Sequence, residues 1–158
     1  MPMPNDSAPE STDSHCASVL CRAPASEALA FLADGVQLGH WALGCWQTEP
    51  LGDDVVRGHS LFDDQLGCVR PVADASRMTV VYHVGATADA LSPRISAVVE
   101  PEGGTDAKGV SCRISLHATR TPDMDDARWL RLVRCHEVEV LLIQARLERL
   151  ATSSLKPR

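Results

Sequence analysis

The last third of the chain constrains the fold most, because it combines a strand with one unusually long amphipathic helix. Apolar and polar residues alternate over 110–120, which predicts a strand, and a helical period follows over 123–151. At 1.5 Å per residue, that helix would be about 40 Å long, enough to cross a small domain. Its apolar stripe is too long to remain uncovered, so we expect it to pack against a sheet.

The middle of the chain supplies such a sheet. It is rich in Val, Thr, Trp and Tyr, and turn residues interrupt it about every eight to twelve positions. This pattern predicts strands at residues 45–50, 55–63, 68–74, 78–85, 94–102 and 110–120. A further strand is predicted from Ser14, followed by two short helices. The first covers EALAFLAD with Ser26 as N-cap, and the second runs from Val36 to Trp41.

Antiparallel strands in sequence order form an open sheet whose apolar face must be covered, and only the C-terminal helix is long enough to do so. In the last strand, Cys112, Ile114 and Leu116 should face this helix, whereas Arg113 and His117 should face away. The predicted class is therefore α+β. We expect a curved seven-stranded antiparallel sheet wrapped around a long C-terminal helix, with two short helices between strands 1 and 2.

Composition predicts one domain and limits its partners. Residues 1–13 are predicted to be a disordered tail, 14–152 the domain and 153–158 a second tail. The formal net charge of −6 argues against nucleic acid as a partner. No apolar run is long enough for stable membrane insertion. Six cysteines without a secretory leader predict reduced thiols and a cytoplasmic location.

Two local patterns carry a resemblance to a known superfamily. They are APASEALAFLADGVQLGHW at 23–41 and RWLRLVRCHEVEVLLIQARLERL at 128–150, after the last strand. With the order of elements, they resemble the START-like, or Bet v 1-like, helix-grip superfamily (SRPBCC), which includes polyketide cyclase/dehydrase and lipid-transport proteins. The resemblance implies an apolar cavity between sheet and helix that binds lipids, polyketides, steroids or similar molecules. It does not distinguish carriers from enzymes.

Five residues of the long helix share one predicted face and are candidate ligand contacts: Trp129, Val133, His136, Val140 and Gln144. A histidine on a buried face could orient a ligand or act as a general acid or base. The alternative is a structural His136, hydrogen-bonded within the core or to Glu139. No catalytic residue is assigned, and His136 is the one weak candidate.

The rest of the chain offers further candidate contacts. If Val80 points inward, Tyr82 does too, because alternate strand residues share a face. Trp41 is an apolar anchor that could line the cavity entrance. The strand arginines Arg94, Arg113 and Arg120 could meet a ligand carboxylate if they point inward, although most strand arginines pair at the surface.

The motifs for metal and nucleotide chemistry are incomplete. HEVEV at 136–140 has Val140 where a zinc protease helix has its second histidine, and no phosphate-binding glycine motif follows a strand. We therefore expect neither a metal nor a cofactor. The leading hypothesis is a protein that binds a small hydrophobic or amphipathic ligand. The alternatives are a polyketide cyclase or dehydratase using the same cavity, and a homodimeric interaction module that associates through Val138 and Leu142.

Overall fold

Seven antiparallel strands form a single sheet in the computed structural model, which describes residues 14–102 and 110–154. The strands are β1 (Ser14–Cys21), β2 (Trp46–Gly52), β3 (Val55–His59), β4 (Leu66–Asp74), β5 (Thr79–Gly85), β6 (Ser92–Glu102) and β7 (Ser111–Thr119). The helices are α1 (Ala25–Ala33), α2 (Gly35–Leu38) and α3 (Asp126–Ser154). The predicted α+β architecture is confirmed.

The predicted tails fall largely outside this description. Residues 1–13 and 155–158 lie outside the described part of the chain. The α3 helix ends at Ser154, so residues 153–154 are helical where a tail was predicted.

The strands from β2 to β7 pair in sequence order, and β1 lies beyond β7 at the opposite edge from β2. Ser14 is paired with Thr119 and Cys21 with Cys112, so β1 runs antiparallel along the full length of β7. This arrangement brings the first strand beside the long helix, since α3 packs chiefly against β1.

The predicted face of β7 is buried as expected. Cys112, Ile114 and Leu116 are completely buried, whereas His117 is exposed. On the helical side of the core, Ile143 and Leu147 of α3 and Leu32 of α1 are also buried. The core therefore lies between one face of the sheet and the helices.

Three predicted boundaries differ from the structure. Pro24, not Ser26, occupies the N-cap position of α1, because its extended backbone precedes the first helical residue and no side chain caps that helix. The α2 helix is shorter than expected and begins at Gly35, where the Asp34 carboxylate accepts a hydrogen bond from the Val36 N–H. The α3 helix starts three residues late, since Asp125 accepts a hydrogen bond from the Arg128 N–H and acts as its N-cap.

A β-bulge interrupts the pairing of β5 with β6. Tyr82 is paired with Ile95, but His83 is paired with Pro93, which leaves Arg94 as an extra residue. Such a bulge breaks the alternation of side chains along β6. As a result, two consecutive residues of this strand can face the same side of the sheet.

All six cysteines are unpaired, and four of them are buried. Burial, with smaller contributions from the nearby Cys112 and Glu148, raises the pKa of Cys21 to about 12. The Cys21 thiol therefore stays protonated and packs as a small apolar group. No helix in the described part of the chain is sufficiently long and apolar to span a membrane.

Candidate functional site

A cavity of about 560 Å³ lies between the sheet and α3. Its walls come from the sheet, from α2 with the turn that follows it, and from α3. Sheet residues that line it include Val69, Tyr82, Val84 and Ile95. Leu38, Trp41 and Ala42 line it from α2 and the following turn, and Leu132, Cys135, His136 and Glu139 from α3. The volume is within the range of about 300–1,000 Å³ typical of small-molecule sites.

Two buried nitrogen atoms of this wall have no hydrogen-bond partner in the described part of the chain. They are the indole Nε1 of Trp41 and the imidazole Nδ1 of His136. These side chains are only 3% and 2% exposed. An unpaired buried polar group costs about 1–3 kcal/mol, so such atoms are normally satisfied by water or a ligand. Trp41 and His136 therefore contribute to the cavity wall while each keeps one buried nitrogen without a partner among the described residues.

Tyr82 contributes its ring to the cavity, while its hydroxyl is engaged elsewhere. The hydroxyl donates a hydrogen bond of 2.7 Å to the backbone carbonyl of Leu32 in the last turn of α1. That carbonyl has no partner within its own helix, so the bond satisfies a helix terminus. The ring meets Trp41 edge to face at a centroid distance of 5.8 Å. Burial raises the pKa of Tyr82 well above 10, and the group remains a proton donor.

His136 and Glu139 lie one turn apart on α3, and both are buried. Burial, with a smaller contribution from the nearby His15, lowers the pKa of His136 to about 4. Burial raises the pKa of Glu139 to about 8, although a hydrogen bond from the Leu43 N–H opposes the change. At neutral pH, the wall therefore presents a neutral imidazole beside a protonated carboxylic acid.

The mouth of the cavity, unlike its inner wall, is lined by charged side chains. Arg94, Arg128 and Arg131 all line it, and the guanidinium of Arg131 lies 5.1 Å from the centre of the Phe62 ring. Phe62 is half exposed, and Arg128 forms an ion pair of 3.2 Å with Asp123. Charged groups thus surround the opening, whereas the inner wall is neutral.

Of the predicted contacts, the structure brings together Trp41, Tyr82 and His136 on the cavity wall. His136 is buried as the structural interpretation required, but its Nδ1 has no core partner and no hydrogen bond joins it to Glu139 among the described residues. The ring of Tyr82 faces the cavity, as the inward burial of Val80 predicts.

The other predicted contacts lie elsewhere. Trp129 and Val133 are half-buried and are not among the lining residues, and Val140 packs in the core. The Gln144 amide donates a 2.7 Å hydrogen bond to the carbonyl of Leu20 in β1. Gln144 thus lies on the side of α3 that packs on β1, and the ligand-binding role of all four residues stays a prediction without a geometric basis.

Sequence reasoning missed several lining residues that share a simple pattern. Arg128, Leu132, Cys135 and Glu139 follow the spacing i, i+4, i+7 and i+11, so they form one stripe along α3. The stripe does not stand out as apolar in the sequence, because it contains an arginine and a glutamate. Arg94 was considered only as one of three strand arginines. Of the other two, Arg113 pairs with Glu102, and Arg120 with Asp126.

No group of three or more His, Cys, Asp or Glu side chains able to hold a metal ion occurs within residues 14–102 and 110–154. Val138, proposed for dimer formation, is 47% exposed, whereas Leu142 is half-buried and packs on the core.

No protein-family model and no curated protein matches the chain in sequence. Solved structures match it in three dimensions. The Zhui aromatase/cyclase from Streptomyces sp. R1128 is 18% identical, with a TM-score of 0.62 over 91% of this chain and 98% of that one. A START superfamily protein from Mycobacterium smegmatis is 13% identical, with a TM-score of 0.60 over 87% of this chain and 98% of that one.

A third match is the di-domain ARO/CYC protein BexL from the BE-7585A biosynthetic pathway. It is 15% identical, with a TM-score of 0.61 over 85% of this chain and 46% of that one. The element order is also the one that the sequence predicted for this superfamily. The chain therefore has a START/Bet v 1-like helix-grip fold.

Proposed function

We propose that this protein binds a small hydrophobic or amphipathic molecule, such as a lipid, polyketide or aromatic compound, in the cavity between the sheet and α3. The observation that carries the proposal is the cavity of about 560 Å³ between the sheet and α3, whose wall is mainly apolar. A ligand of matching size would bury much of its surface there. Burial of its apolar surface would contribute about 25 cal/mol per Å².

Native mass spectrometry of the freshly purified protein tests this proposal. We expect a co-purified small molecule that is released under denaturing conditions, and its mass will indicate its chemical class. The Ala86→Trp variant should reduce its occupancy, because Ala86 is an exposed residue on the cavity wall and a larger side chain there would fill the opening. Ala88→Trp is the matched control, since Ala88 is exposed but does not line the cavity.

A polyketide cyclase or dehydratase activity is the second candidate. It is favoured by a protonated Glu139 one turn away from a neutral His136 on the cavity wall, and two of the structural neighbours are described as aromatase/cyclases. The imidazole could accept a proton from the carbon next to a ligand carbonyl, while the carboxylic acid donates a proton to the carbonyl oxygen.

This enzyme hypothesis predicts that the protein accelerates deuterium exchange at the carbon next to the carbonyl of a bound ketone, measured by NMR in D₂O. Glu139→Gln should abolish the acceleration while the ketone still binds. Equal exchange rates with the wild-type protein, with the variant and without protein would leave a carrier function only.

Two further proposals concern the setting of the protein. The exposed Leu130, Val138 and Leu141 on α3 support a homodimer, and light scattering that shows a monomer at high concentration would remove this idea. The unpaired state of all six cysteines supports a reducing compartment such as the cytoplasm, which fractionation of the source cells can test.

A further inference from the structure

The charge of the cavity mouth is opposite in sign to that of the whole chain. The chain has a formal net charge of −6, yet three arginines line the cavity and Glu139 is the one acidic residue among the described lining residues. Because Glu139 is buried and holds its proton, the charge of the lining residues comes from the three arginines. A cationic opening attracts anions and favours ligands with negative charge at that end.

The fold brings these arginines together in a specific way. Arg128 and Arg131 lie one turn apart on α3, so both point to the same side of the helix. Arg94 reaches the cavity because it is the extra residue of the β6 bulge, and for this reason Arg94 and Ile95 both line the cavity although they are consecutive. Bulges commonly redirect a side chain toward a functional site.

Two of the three guanidinium groups are available to a ligand. Neither Arg94 nor Arg131 forms a hydrogen bond or an ion pair with any residue that the structure describes, and Arg131 only stacks near Phe62. Arg128 holds Asp123, whose pKa is lowered mainly by the Thr121 hydroxyl and also by the charges of Arg128 and Arg94. The charges of Arg94 and Arg128 thus both act on the Asp123 carboxylate.

We infer that the ligand of this cavity is an amphipathic carboxylate whose anionic group binds among Arg94, Arg128 and Arg131 while its apolar body extends inward. The inference rests on the proposed binding function and adds the chemical class and direction of the ligand. Guanidinium groups bind carboxylates with two parallel hydrogen bonds, which supplies both affinity and orientation.

The spacing of the lining residues along α3 also indicates how long this ligand should be. Arg131 and Glu139 are eight residues apart on α3, which corresponds to about 12 Å along the helix axis. The inner end meets the neutral side chains of Trp41, His136 and Glu139, so the far end of the ligand should be apolar or carry an uncharged polar group. A second charge at that end would be buried without a counterion.

Matched probes test the inference by isothermal titration calorimetry. Decanoate and 2-naphthoate carry the carboxylate, while decanol and 2-naphthol offer similar apolar bodies without a charge. We expect each acid to bind at least about tenfold more tightly than its alcohol, because charge-assisted hydrogen bonds stabilise only the acid. Raising the ionic strength from about 0.02 to about 0.5 M should weaken binding of the acids but not of the alcohols.

Variants locate the anion. Arg94→Gln and Arg131→Gln should each weaken decanoate about five- to tenfold and leave decanol unchanged. Arg134→Gln is the matched control, since Arg134 is an exposed arginine on the same helix that pairs with Glu137 and does not line the cavity. It should leave both probes unaffected.

The outcomes separate the two proposals. Equal affinity for acid and alcohol, or an acid preference that survives both arginine substitutions, would overturn the inference and leave the binding function in place. If none of the four probes binds and native mass spectrometry finds no co-purified molecule, the proposed binding function itself is wrong.

Discussion

Ionisable side chains line both the inner end of the cavity and its mouth. Those at the inner end are buried and uncharged, whereas those at the mouth are charged. At the inner end, His136 and Glu139 are almost inaccessible, and both are neutral at pH 7 because burial disfavours their charged forms. At the mouth, Arg128 and Arg131 are exposed and remain charged. A single helix, α3, therefore presents an uncharged surface and a cationic surface about two turns apart.

Among the substitutions that test this difference, Glu139→Gln should have the largest effect, which is on the pH dependence of the free energy of unfolding. The folded carboxyl holds its proton up to about pH 8, while an unfolded one loses it near pH 4.5. The wild-type protein therefore loses up to about 5 kcal/mol of stability from this group as the pH rises from 4.5 to 8. Urea unfolding across that range should show the loss in the wild type and not in the variant.

Glu137→Gln is the control for this experiment, since Glu137 is an exposed carboxylate of the same helix. If the free energies of unfolding of the wild type and Glu139→Gln follow parallel curves against pH, Glu139 is not a buried acid.

His136→Gln should have the next largest effect, in the acidic direction. The folded imidazole stays neutral down to about pH 4, whereas the unfolded one takes up a proton near pH 6.5. This group therefore contributes stability that is lost as the pH falls from 6.5 to 4, by up to about 3 kcal/mol. The variant should lack that loss, and His83→Gln should retain it. An NMR titration in which the His136 ring protonates above pH 6 would contradict the interpretation.

Tyr82→Phe sharpens the distinction between a partnered and an unpartnered polar group on the same wall. Removal of the hydroxyl leaves the Leu32 carbonyl without its hydrogen bond, which should reduce the free energy of unfolding by about 1–2 kcal/mol. Ligand affinity should not change, because this hydroxyl is already engaged by the fold. A variant of unchanged stability and reduced affinity would show that the hydroxyl serves the ligand.

Substitutions at the mouth should have the smallest effect on stability. Arg131→Gln and Phe62→Ala should each change the free energy of unfolding by less than about 1 kcal/mol, because the contact between them is exposed. A double-mutant cycle measured by urea unfolding should give a coupling energy of about 0.5 kcal/mol. Coupling above about 2 kcal/mol would mean that the mouth is as tightly packed as the interior.

The elements of the fold could be predicted from sequence because each depends on local periodicity. The alternation in β7 identified Ile114 and Leu116 as inward residues, and the long helical period identified α3. The position of β1 beside β7 was not predicted, since no pattern within either strand specifies a partner about 100 residues away. The order of pairing depends on tertiary packing.

The site was harder to predict, for two physical reasons. A long helix can bury one face against β1 and present the neighbouring face to a cavity, so one apolar arc does not identify the ligand side. This is why Val140 and Gln144 were expected at the cavity while Glu139 was missed. Arg94 depends on a bulge, and a single inserted residue in one strand becomes visible only when its partner strand is known.

The pairing of the first strand with the last also has a consequence for folding during synthesis. β1 emerges from the ribosome before the other six strands of the sheet, but its sheet neighbour in the described part of the chain, β7, is completed about 100 residues later. At about 5–20 residues per second, β1 waits roughly 5–20 s with its backbone unpaired. The α3 helix that covers it is made later still. β1 is thus made before the other strands of this sheet but is among the last to gain its hydrogen-bonding and packing partners.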